Sequence, residues 1–104
     1  MKDIFEGVKA AYKGLDDKLA KDIKVLEISE LSPIADYFVI ASGSNSNQIK
    51  AMADSVEEEL YKAGFRLNHS EGMQTGSWIL LDFGDIIVHI FNEEDRDFYS
   101  LERI

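Results

Sequence analysis

Ser77-Trp78-Ile79-Leu80-Leu81-Asp82-Phe83-Gly84-Asp85-Ile86-Ile87-Val88-His89-Ile90-Phe91 reads as two strands hinged at Phe83-Gly84-Asp85. Both flanks are dense in apolar residues suited to strands, and Gly-Asp suits a hairpin turn. Side chains alternate across a strand, so Trp78, Leu80 and Asp82 share one face while Ile79 and Leu81 share the other. In the second strand Ile87, His89 and Phe91 lie opposite to Ile86, Val88 and Ile90. The unmixed aliphatic faces are the candidate core. The other face carries an indole, an imidazole and carboxylates along otherwise apolar strands, the composition of a surface that meets another protein. Trp78 is its candidate anchor, with Leu80, His89 and Phe91 beside it and Asp82 and Asp85 set to pair with Lys or Arg of a partner. Plainer readings stand beside these: Trp78 covered by a C-terminal helix, His89 a half-buried hydrogen-bonding group, Asp85 a turn residue.

The chain has 104 residues, 45% of them hydrophobic and eleven aromatic, with a single proline, which is the composition of one folded domain spanning 1–104. Its net charge of −9 is uneven. Residues 1–24 carry six Lys against five acids, whereas residues 25–104 carry five Lys or Arg against fifteen. Phosphate-driven binding needs clustered Lys and Arg, which are missing here, so direct contact with nucleic acid is not expected. An acidic body suits a strongly basic protein partner, although acidity also serves plain solubility. Cysteine is absent, which removes disulfides, thiolate nucleophiles and Cys-based zinc sites. No apolar run approaches membrane-spanning length and the N-terminus does not read as an export signal, so a soluble, cytoplasmic protein is expected.

Along the chain, Ile4, Val8, Ala11, Tyr12, Leu15 and Leu19 recur at helical spacing over residues 3–19, with Asp3 as N-cap. A short strand follows over Lys24–Ser29, then a turn at Ser32-Pro33 that Asp36 can cap, then the nearly continuous apolar strand Asp36–Ala41, which belongs in the middle of the sheet. Tyr37 on that strand is a further candidate for the Trp78 face. The polar loop 42–47 leads into a helix over Asn47–Ala63, with Ile49, Met52, Ala53, Val56 and Leu60 inward, Glu57-Glu58-Glu59 solvated and Gly64 as its left-handed cap. A weaker strand spans Phe65–Ser70, a loop spans 71–76, and after the hairpin Asn92 caps a turn at 93–95 before a closing helix with Phe98, Tyr99 and Leu101. The order is αββαβββα: an α/β fold with a mixed five-stranded sheet and helices packed on it.

Several segments resemble the ribosomal silencing factor, or Iojap-like, family: Asp22-Ile23, Leu26-Glu27-Ile28, Ser32 through Gly43, Glu71-Gly72, Trp78 through Asp82, Gly84 through Phe91, and Phe98 through Arg103. They span almost the whole chain in the family's order. The resemblance implies a nucleotidyltransferase-like fold without that activity. It further implies a factor that binds the large ribosomal subunit where the small subunit would dock, through a basic ribosomal protein, the fourteenth of the large-subunit series. Subunit joining is then blocked and translation repressed, chiefly when nutrients are scarce.

Two other classes compete. Ala41-Ser42-Gly43-Ser44, between a strand and a helix, is similar to the phosphate-cradling turn of nucleotidyltransferases, which makes a nucleotide-binding enzyme the alternative. Such an enzyme would also need two carboxylates one residue apart on the adjoining strand to hold magnesium, and no Asp-x-Asp stands there. His69, Asp82, Asp85 and His89 form no ligand motif of established spacing, so neither metal nor cofactor is expected and no residue is assigned a catalytic role. The third class is a self-associating module, a homodimer paired through the Trp78 face.

Overall fold

The computed structural model describes residues 3–93. Their order is α1 (Ile4–Asp17), β1 (Lys21–Glu27), β2 (Tyr37–Gly43), α2 (Ser46–Lys62), β3 (His69–Glu71), β4 (Trp78–Asp82) and β5 (Ile86–Asn92). The five strands form one sheet in the order β1-β2-β5-β4-β3. β2 and β5 run parallel in its centre, and the other neighbours are antiparallel. The mixed sheet expected from the sequence is therefore present; the closing helix expected around Phe98–Leu101 lies outside the described residues.

Both helices pack on the same face of the sheet. α1 begins where the Asp3 side chain accepts a hydrogen bond from the Phe5 N–H, which satisfies one otherwise orphaned donor. It buries Val8, Ala11 and Leu15, but ends at Asp17. Tyr12 and Leu19, expected on the inward stripe, are 47% and 79% exposed, and Leu19 sits past the helix end at φ +62°. α2 is capped by the Asn45 side chain, which accepts from the Gln48 N–H at 2.8 Å, and buries all five stripe residues from Ile49 to Leu60. Gly64 follows it at φ +92°, the left-handed turn that an L side chain resists. The helices touch through Gly14, where a Cβ would stand 2.8 Å from Val56 Cα.

Beneath them lie Val39, Ala41, Ile79, Leu81, Ile86, Val88 and Ile90, each at most 1% exposed. Full burial of one such aliphatic side chain stabilises the fold by roughly 1.5–3 kcal/mol. Phe65, expected to open a strand, drops into this core instead, and β3 keeps only three residues. Glu59, expected in solvent, is half-covered on α2 and reaches Lys13 at 3.6 Å and Lys62 at 3.4 Å, whereas Glu57 and Glu58 are exposed. The turn after β1 is closed by the Ser32 hydroxyl accepting from the Ile34 N–H and by the Ile28 carbonyl accepting from Leu31 and Ser32.

Candidate partner-binding face

Register across the sheet builds the second face. Trp78 lies across from Phe91 and Leu80 across from His89 on the β4–β5 pair, while His89 lies across from Ile40 on the parallel pair. Phe38, Ile40, Ile87 and Phe91 form an apolar floor with Ile28 and Ala35, and Leu26, Trp78 and Leu80 pack partly buried against it. The indole of Trp78 stacks on Phe91 with centroids 5.3 Å apart and planes 25° apart. Its Nε1–H donates to His89 Nδ1 at 3.3 Å, and the imidazole meets Phe38 edge-on at 4.7 Å. An aromatic pair of this kind adds about 0.5–1.5 kcal/mol beyond its buried area.

His89 is neutral. Burial alone pushes its pKa down from 6.5 to about 4. Because Nδ1 accepts from the indole, the ring proton resides on Nε2, a buried atom with no hydrogen-bond partner among the described residues.

The sequence-expected face divides into floor and rim. His89 and Phe91, expected as surface contacts, are 4% and 1% exposed, so they support the face from beneath. Trp78, Leu80 and Asp82 are half-buried and form its rim. Asp82 Oδ1 accepts from the Gly84 N–H at 2.8 Å, which tightens the hairpin turn. Asp85 is exposed; its backbone carbonyl accepts from Asp36 and Tyr37 at 2.9 and 3.1 Å and ties the hairpin to β2.

Tyr37 belongs to the opposite face. In the parallel register it pairs with Ile86, not Ile87, so it shares the parity of the aliphatic core and packs against the helix side, 6.3 Å from the Phe5 ring. Sequence reasoning missed Phe38, which holds the imidazole from below. Its parity with Ile40 is readable from alternation, but its juxtaposition with His89 follows from a parallel pairing that joins residues far apart in the chain.

The glycine-serine turn is filled by the chain itself. The Ser44 N–H donates to Gln48 Oε1 at 2.7 Å, the Gln48 N–H to Asn45 Oδ1, and the Glu93 carboxylate stands 3.3 Å from Ser44 Oγ. The same carboxylate is paired with Lys21 Nζ at 3.2 Å, so the turn's polar groups are engaged within the chain. Gly43 has a packing reason of its own, since a Cβ there would meet Ile49 Cγ1 at 2.8 Å. Among the described residues no group of three or more His, Cys, Asp or Glu is arranged to hold a metal ion, and His69 pairs with Glu71 at 2.9 Å. A surface groove of about 500 Å³, lined by Asp54, Glu57, Glu58, Tyr61, Phe65, Arg66 and Leu67, shares no residue with the Trp78 face. No helix among the described residues is long and apolar enough to cross a membrane.

A family model described as ribosomal silencing factor during starvation matches residues 2–104. The chain belongs to the ribosomal silencing factor family. It is 42% identical over 97 residues to the ribosomal silencing factor RsfS of Zymomonas mobilis, covering 93% of this chain and 73% of that protein. A crystal structure of a Chromobacterium violaceum protein superposes with a TM-score of 0.94 at 38% identity, covering 97% of this chain and 84% of the other. A more distant relative is the mouse mitochondrial assembly of ribosomal large subunit protein 1, 30% identical over 82% of this chain and 39% of that protein. As a ribosomal silencing factor the chain is a ribosome-associated regulator of translation, in a family that is regulatory and not enzymatic.

Proposed function

We propose that the protein binds the large ribosomal subunit at the face where the small subunit docks, by seating its Trp78 face on the basic ribosomal protein fourteenth in the large-subunit series. The observation that carries this reading is a half-buried indole held on a rigid aromatic floor, with the Asp82 and Asp85 carboxylates on the same hairpin. From Trp78 to Asp82 the rim is roughly 13 Å long at about 3.3 Å per residue. A basic partner therefore meets an apolar anchor and carboxylates together, and the net charge of −9 favours its approach. The name of the mouse relative, which ties it to assembly of the large subunit, supports the choice of subunit.

Silencing in this reading needs no chemistry. A rigid body that stays bound longer than a subunit encounter lasts excludes the small subunit by occupying its place. Negative surface turned toward the phosphates of the small subunit adds repulsion, but salt screens it beyond about 8 Å, so bulk dominates. The filled glycine-serine turn leaves nucleotide transfer without a phosphate cradle, and the site of action is the cytoplasm.

Cosedimentation with purified large subunits tests the reading. Trp78→Ala and Asp85→Lys should remain folded and should each bind at least fivefold more weakly, with subunit joining restored in proportion. Wild-type cosedimentation by both variants would move the interface elsewhere. A second copy of the chain would compete for the same face, and sedimentation velocity of wild type and Trp78→Ala measures that competition.

A further inference from the structure

We propose that His89 is the positioning residue of the docking face: its Nδ1 fixes the orientation in which the Trp78 indole meets the partner. The proposal rests on the reading that this face docks. Stacking on Phe91 restrains the plane of the indole. A directional hydrogen bond restrains rotation within that plane, and the bond from Trp78 Nε1–H to His89 Nδ1 at 3.3 Å is such a restraint.

The restraint is itself held in place. The imidazole lies edge-on to Phe38 at 4.7 Å and parallel to Phe91, 5° apart in plane at 6.2 Å. Its cross-strand neighbours, Leu80 and Ile40, are apolar on both sides. An all-carbon ring would fill this position without leaving a donor buried and unmatched, as His89 Nε2–H is among the described residues. Packing alone thus selects against histidine here. What histidine supplies and phenylalanine does not is an acceptor aimed at the indole, and the ring is neutral and able to accept because it is buried. Preorganising an aromatic anchor lowers the ordering cost at binding, which is where such a residue gains affinity for its neighbour.

Trp78 is the sole tryptophan, so its indole N–H resonance and its fluorescence report the anchor directly. His89→Phe keeps the ring contacts and removes the acceptor; His89→Asn places an amide oxygen near the position of Nδ1; Trp78→Phe keeps the stack and removes the donor. In His89→Phe the indole N–H resonance should move upfield, while the urea midpoint at neutral pH stays at or above that of the wild type. Affinity for large subunits should fall about tenfold in His89→Phe and about tenfold in Trp78→Phe. The double variant should lose no more than either single one, because both remove one shared bond. His89→Asn should recover at least half of the loss.

Wild-type affinity in His89→Phe, with Trp78→Ala still weakened, would overturn the positioning role and leave the docking reading standing. Losses that multiply in the double variant would overturn it as well. Wild-type affinity in Trp78→Ala would overturn both. Should His89→Phe fail to fold, Trp78→Phe and His89→Asn carry the same comparison: full affinity in Trp78→Phe, with Trp78→Ala weakened, rejects the hydrogen bond as the source of affinity.

Discussion

One face of the sheet is sealed by two helices over aliphatic side chains that are at most 1% exposed, whereas the other sets an imidazole and a half-buried indole on a floor of phenylalanine and isoleucine. The first arrangement is what stability alone selects. The second contains groups that stability alone would replace, above all a buried histidine with a nitrogen unmatched among the described residues. The contrast separates what folds this chain from what, in the proposed reading, it offers to a partner, although the same strands, β4 and β5, serve both.

The largest expected effect lies on the helix side. Leu15→Ala should cost about 2–5 kcal/mol in urea denaturation, since Leu15 is fully buried between α1 and the sheet. Leu80→Ala, on the other face, should cost about 1 kcal/mol, because only part of that side chain is withdrawn from water. Equal costs would erase the distinction between the faces.

Acid should act through the second face. His89 has a pKa of about 4 in the folded chain against 6.5 for the free side chain. Between these values the unfolded chain takes up a proton that the folded one refuses. The contribution to stability is therefore complete above about pH 6.5 and is lost as the pH falls toward 4, on the order of 3 kcal/mol in all. Urea titrations at several pH values, with His89→Phe as reference, isolate this share from that of the carboxylates. An identical acid profile in the variant would refute it.

Smaller effects should stay on their own side. Asn45→Ala removes the cap of α2 and should cost about 1 kcal/mol while leaving Trp78 emission unchanged. Lys13→Ala breaks exposed ion pairs to Asp17 at 2.9 Å and Glu59 at 3.6 Å and should barely move the urea midpoint.

Much of this division is legible in the amino-acid sequence. The five-residue stripe of α2, the hairpin and the aliphatic faces of β4 and β5 follow from periodicity, because each element has one strongly apolar side. Edge elements are less legible. β1 begins at Lys21, three residues earlier than its composition suggests, because a strand with most positions exposed shows little alternation to read. Leu19 misleads because hydrophobicity continues past the point where the helix has ended.

On the candidate binding face the residue set is legible and the depth is not. Alternation groups Trp78 with Asp82, and His89 with Phe91, but it cannot say that the second pair lies at the bottom. That depends on Phe38 and Ile40 arriving from β2 in parallel register, a long-range fact. Tyr37 is misplaced for the same reason, since its side of the sheet is fixed by pairing with Ile86.

The two margins of the sheet carry a consequence for life in a crowded solution. β1 is irregular between Lys21 and Lys24, has Asp22 at φ +51° and presents alternating cations and anions, while β3 is only three residues long. Neither rim offers the long, flat, uncharged ladder that lets sheets add to one another end over end into fibrils. The chain can thus accumulate in quantity, as the occupancy proposed above requires, with little tendency to polymerise through its borders.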